Sequence, residues 1–140
     1  MVNEATLIIE KELPTDFTVA NATAISKGAV LAMTDPLTAI LSSGRRDTVA
    51  GILAEEKVAS DGRTKMPVYR GGIFKGTLSG SATVGDPLST ESGSLNQLRS
   101  AVADIGSNLS GSRIIGIAME TGADGDTILF ELRPTGWGVT

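Results

Sequence analysis

The chain has 140 residues, room for one compact core, with no Cys, no His, 17 Gly, and 12 Lys and Arg against 16 Asp and Glu. The missing residue types exclude disulfides, thiolate nucleophiles, zinc knuckles and imidazole acid–base chemistry. The net charge of −4 is shared by both halves, with 8 basic and 9 acidic residues in 1–70 and 4 and 7 in 71–140, so neither half is a basic module for nucleic acid.

The start, Met1-Val-Asn-Glu-Ala-Thr-Leu-Ile-Ile-Glu-Lys11, has no basic opening and only a short apolar stretch, so it does not read as a signal peptide. No apolar run approaches the roughly 20 residues of a membrane helix. These features lead to the expectation of a soluble product made in the cytoplasm. Thr6-Leu-Ile-Ile-Glu10 is the first extended run and ends at Pro14-Thr-Asp16. Residues 1–16 are therefore expected to form an N-terminal arm or a first strand, and residues 17–140 a β-barrel domain. Further β-type runs follow at 17–20, 29–33, 37–41, 49–56, 64–70, 73–78, 113–120 and 126–133, separated by Gly, Asp, Ser and Pro. Asp61-Gly62 and Asp124-Gly125 fall between such runs, where a tight hairpin needs positive φ.

Ile128, Phe130 and Leu132 alternate with Leu129, Glu131 and Arg133, the period-two signature of a strand with one face turned inward. Ile114-Ile-Gly-Ile-Ala-Met119 is apolar on both faces, which predicts cover on both sides, from a closed barrel or from an assembly. One segment reads differently: Leu95, Leu98, Val102 and Ile105 are spaced at helical intervals. Ser94 with Gln97 forms a capping-box pattern and Gly106 suits the position past a helix end. These signals predict a short helix over 95–105, with an irregular strand and loop as the alternative.

The chain also repeats itself. Gly28-Ala-Val-Leu31 returns as Gly85-Asp-Pro-Leu88, and Val49-Ala-Gly-Ile-Leu-Ala-Glu55 as Ile114-Ile-Gly-Ile-Ala-Met-Glu120. The fold expected from this is mainly β, a small barrel built from two similar halves.

Motifs that carry chemistry are mostly incomplete. With no His, a serine nucleophile would need a lysine base, and no Ser-x-x-Lys spacing occurs. Glu55 and Glu56 are adjacent and point to opposite faces of a strand. Asp124-Gly-Asp126 lacks the further ligands and distal Glu of a calcium loop and reads as a hairpin tip. The glycine-rich run 76–85 lacks the Gly-Lys-Ser/Thr ending of a P-loop. Tyr69-Arg-Gly71 resembles a fragment of the trimeric dUTP pyrophosphatases, but Val68 stands where an acid is required. No catalytic residue, cofactor or metal ligand is therefore expected. Tyr69 reads as a core or interface aromatic, and Trp137, in Gly136-Trp-Gly138, as an anchor for the tail within the chain or on a neighbouring subunit. With five aromatic residues, many glycines and no covalent staple, self-association is the expected way to widen a thin stability margin.

The order Gly28-x-x-Leu31, Val49-Ala-Gly-Ile52, Gly85-Asp-Pro-Leu88, Ile114-Ile-Gly-Ile-Ala-Met-Glu120 and Gly125-Asp-Thr resembles the head decoration, or capsid cement, proteins of tailed bacteriophages. The likeness runs over 28–134, although 89–112 is longer than the pattern. It implies a small β-barrel without catalytic residues, forming homotrimers on the outer capsid surface at local threefold points. The partner implied is the major capsid protein, clamped against the pressure of packaged DNA, with no nucleic acid or membrane bound. An N-terminal arm commonly touches the capsid in such proteins, which places candidate capsid contacts at Thr6, Leu7, Ile8, Ile9 and Glu10, able to add a strand to a sheet edge. Tyr69 and Trp137 are the candidate subunit-interface residues. Two other classes remain open: a tail or fibre component, and a small trimeric β nucleotide hydrolase.

Overall fold

A computed structural model describes residues 3–44, 47–91, 95–102 and 114–134. Among them, the first half of the chain supplies β1 (Thr6–Ile9), β2 (Thr15–Thr18), β3 (Val30–Asp35), β4 (Thr38–Leu41), β5 (Val49–Leu53) and β6 (Lys65–Tyr69). The second supplies β7 (Gly72–Thr77), β8 (Pro87–Thr90), β9 (Leu98–Ser100), β10 (Gly116–Ala118) and β11 (Thr127–Leu132). The protein is mainly β, as its alternating runs and turn residues predict. Strands β2-β4-β3-β5-β6 close into a barrel, and β1-β7-β11-β10-β8-β9 form a six-stranded sheet.

The sequence repeat is visible as a repeat of pairing. In the first unit β2 pairs with β6, β6 with β5, β5 with β3 and β3 with β4, all antiparallel. In the second, β7 pairs with β11, β11 with β10, β10 with β8 and β8 with β9 in the same sense. A parallel contact, Thr18 with Thr38, closes the first unit. Its counterpart is a parallel bridge between Leu78 and Leu98, where Ser79 N donates to Leu98 O at 2.7 Å. Each half thus builds its own five-stranded unit.

Individual hydrogen bonds repeat as well. Gly28 N donates to Leu53 O at 2.9 Å and Gly85 N to Ala118 O at 2.8 Å. Ile25 and Lys57 exchange two backbone bonds, as do Ala82 and Gly122. One four-residue turn recurs four times, with its third residue left-handed: Gly28 (φ 88°), Ser60 (58°), Gly85 (93°) and Gly125 (84°). In three copies an Asp follows and its carboxylate accepts from the backbone N–H of the turn's first residue: Asp61 from Val58 at 3.3 Å, Asp86 from Thr83 at 3.0 Å and Asp126 from Ala123 at 2.8 Å. The equivalent acids are therefore Asp61 and Asp126, so the two Asp-Gly pairs seen in the sequence occupy different places in the turn.

The repeated Gly-Ile dipeptides have a steric cause. A Cβ on Gly51 would lie 2.0 Å from Tyr69 O on β6, and one on Gly116 would lie 2.0 Å from Glu131 O on β11. Only glycine lets the neighbouring strand pass this close.

Phe17, Leu31, Leu53, Met66 and Val68 fill the first unit. Phe74, Leu88, Ile115 and Phe130 fill the second, and Val30, Val49 and Ile52 of the first unit join that same cluster. Each buried aliphatic or aromatic side chain contributes about 1.5–3 kcal/mol, so this shared core binds the two units together. Phe74 stacks on Phe130 with centroids 6.1 Å apart, and Tyr69 meets Phe74 edge-on at 5.7 Å.

The helix expected over 95–105 does not form in its described part; residues 103–105 lie outside the described residues. Asn96 takes a left-handed conformation (φ 62°) that interrupts a helix, and Leu98–Ser100 pairs with β8 as β9. Leu98 is buried by that pairing, whereas Val102, which would share its helical stripe, is 45% exposed. The spacing matches a helix, but Leu98 and Val102 do not share a buried face.

Candidate interaction surfaces

Strand β1 belongs to neither unit. It runs antiparallel to β7, with Thr6 opposite Lys75, Leu7 opposite Phe74 and Ile9 opposite Ile73, and the register shifts between Leu7 and Ile9. Leu7 turns in towards the shared core, and Ala5 N donates to Gly28 O at 2.8 Å. The strand is held between the second unit's β7 and the first unit's Gly28 turn. Ile8 and Ile9 face outwards, 47% and 52% exposed, and Leu13 beyond them is 79% exposed. The N-terminal segment therefore presents apolar side chains to its surroundings, while its backbone is paired to β7 along one edge as the end strand of the sheet.

Glu10 and Tyr69 are brought together, since the Tyr69 hydroxyl donates to Glu10 Oε2 at 3.0 Å. Burial of the phenol, and then the facing carboxylate, push the Tyr69 pKa above its ordinary 10.0. Tyr69 thus lies where the two units of one chain meet. Trp137 lies outside the described residues.

A charged cleft of about 400 Å³ lies nearby, lined by Lys11, Glu12, Arg70, Glu131 and Arg133 among others. The Lys11 ammonium donates to Glu131, and Arg133 Nε stands 3.2 Å from the same carboxylate. The hydrogen bond from Lys11, with the two positive charges, holds the Glu131 pKa below its ordinary 4.5. Arg70 Nη1 donates to Ala50 O at 3.1 Å. Lys11 and Arg133 thus share one carboxylate, while Arg70 is held by a backbone carbonyl.

Lys57, which no sequence motif marks, is buried. Its ammonium donates to Asn21 O at 2.9 Å, Val58 O at 2.6 Å and Asp61 Oδ1 at 2.6 Å. The hydrogen bond from Lys57, then that from the Arg63 backbone, lower the Asp61 pKa below its ordinary 3.8. This cation ties two loops of the first unit and has no surface left for a ligand. Asp124 and Asp126 likewise accept turn N–H groups, from Gly80 and Ala123, both at 2.8 Å. Among the described residues no group of three His, Cys, Asp or Glu side chains is placed to hold a metal ion.

No family model matches the chain, and no curated protein matches it. Among solved structures it is similar to the head fiber gp8.5 N base in bacteriophage phi29, with a TM-score of 0.54 at 14% identity over 90% of this chain and 98% of that one. At this identity the likeness is one of fold, and it extends over both units.

Proposed function

We propose that the chain is a structural protein of a tailed-phage virion, a decoration protein that sits as a homotrimer on the outer face of the head. The observation that carries this reading is the fold shared, over nearly the whole chain, with the base of a phage head fibre. The sequence resemblance to capsid cement proteins supports it independently. In this reading the protein works by contact alone: it bridges major capsid subunits at threefold points and resists the outward pressure of packaged DNA.

The contact with the capsid is assigned to Thr6, Ile8, Ile9 and Glu10, whose side chains flank or face the exposed side of β1, while Leu7 holds the strand to its own core. Burying Ile8 and Ile9 against a partner contributes up to about 1.5–3 kcal/mol each. Three such contacts per trimer act together, because the second and third bind from a high effective concentration. A second reading is favoured by the near-complete coverage of that neighbour: the chain forms the base of a head fibre.

Co-sedimentation with undecorated phage heads tests the proposal. The wild-type chain is expected to bind and to raise the temperature at which heads rupture. Ile8→Asp with Ile9→Asp is expected to stay folded and lose binding. A folded wild-type protein that ignores heads overturns the reading, as does turnover of a nucleoside triphosphate with release of pyrophosphate. Protruding fibres on decorated heads, seen by electron microscopy, would favour the fibre base.

A further inference from the structure

The two units are equivalent in backbone but unlike in what they cover. Val30, Val49, Ile52 and Tyr69 of the first unit pack against the second, and Val30 N donates to Asn96 Oδ1 at 3.0 Å. The repeat carries these four residues onto Pro87, Ile114, Ile117 and Glu131. Counted back from the paired residues, where Met33 opposes Ala39 as Thr90 opposes Leu98, it carries Asn96 onto Leu37. Both tip residues are left-handed, Leu37 at φ 50° and Asn96 at 62°.

Within one chain this second set is covered only in part: Ile114 is buried and Glu131 is held by Lys11 and Arg133. Pro87 and Ile117 are only half-buried and Met119 beside them is exposed, although the sequence of β10 is apolar on both faces. A side chain on Gly28 would collide with Ala5 O, whereas among the described residues nothing lies within 4 Å of where one on Gly85 would start. Leu37 is 56% exposed, in a conformation that strains a bulky residue.

The chemistry of the two sets has changed in step. Val30 offers a donor and Asn96 accepts it. Pro87 has no N–H and Leu37 has no side-chain acceptor, so the equivalent pair needs no hydrogen bond and leaves none unmade. We infer that Leu37 of one copy seats on the Pro87–Ile117 face of the next, repeating between chains the junction that joins the two units within a chain. Each chain carries one such knob and one such face in different places, so the contact is head-to-tail, and the homotrimer of the proposed function is its ring-closed form. The inference rests on the self-association in the proposed function and is independent of the capsid.

Analytical ultracentrifugation of Leu37→Asn tests it. Asn tolerates the left-handed backbone, so the variant is expected to fold as well as wild type while self-association weakens about tenfold or more. Adding Pro87→Val restores a donor opposite the new Asn and is expected to recover association. The native chain has no cysteine, so mixing Leu37→Cys with Pro87→Cys gives a second readout: oxidation is expected to yield a heterodimer on a non-reducing gel. An assembly indifferent to Leu37→Asn, a failure of the two cysteines to cross-link, or a monomeric wild type overturns the inference. Head binding on the same samples separates the two readings. An indifferent assembly that binds heads removes only this interface. An assembly broken by Leu37→Asn, in a protein that never binds heads, removes only the virion role.

Discussion

The first and second units share strand order, turns and the glycine beneath the crossing strand, yet different side chains lock them. In the first unit the bridge between Ile25 and Lys57 is secured by a buried ammonium that gathers two carbonyls and a carboxylate. In the second unit Gly122 stands in place of Lys57, and a methyl of Ile128 lies 2.6 Å from where its Cβ would be, so hydrocarbon fills the space. The same contrast recurs at the hairpin tips, with Asn96 bonded to Val30 in one case and Leu37 exposed in the other. The backbone pairing is the shared element. A cation or an aliphatic side chain will hold it, provided every buried polar group finds its partner.

Substitutions break or sharpen this comparison. Gly51→Ala and Gly116→Ala force a methyl against a backbone carbonyl in each unit. Both are expected to cost at least about 3 kcal/mol in chemical denaturation, and unequal costs would separate the units. Lys57→Met leaves the Asn21 and Val58 carbonyls and the Asp61 carboxylate without their donor. A loss of about 3 kcal/mol is expected, at the low end for a broken buried pair because Asp61 reaches water, with no counterpart in the second unit. Asn96→Ala orphans the Val30 N–H at the junction and should cost about 1–2 kcal/mol.

Acid acts on both units at once. Asp61 and Glu131 titrate below their ordinary values in the folded state, so each contributes stability above the carboxylate range that is lost as pH falls through its lowered pKa. Melting temperature is expected to drop between about pH 5 and pH 2, and less so in Asp61→Asn. The smallest effect belongs to Leu37→Asn in dilute solution, where relief of left-handed strain should raise stability by about 1 kcal/mol or less.

Much of the fold was legible because β-strands in a small protein declare themselves by alternation and by the residues that end them. The repeat of Gly28–Leu31 in Gly85–Leu88, and of the two Gly-Ile strands, proved to mark equivalent places in the pairing. Strands β8 and β9 were harder to see. Pro87 opens β8, and β9 is so short that the spacing of Leu95, Leu98 and Val102 imitates a helix. The candidate surfaces were legible only in part. Ile8 and Ile9 stand out as apolar residues in an early strand, but which side of β1 faces outwards depends on its pairing with β7, a contact distant in sequence. Lys57 was invisible, because a lysine in a polar loop looks solvated until the fold closes three acceptors around it.

Strand β1 also sets an order of events during synthesis. It is the first of these elements to leave the ribosome, yet its partner β7 emerges only after the whole barrel has been made. The nascent chain must therefore carry Leu7, Ile8 and Ile9 unpaired until translation passes Phe74 and Lys75. An early strand thus waits for a late partner, and proteolytic clipping of β1 would slacken the seam between the halves before it reached either interior.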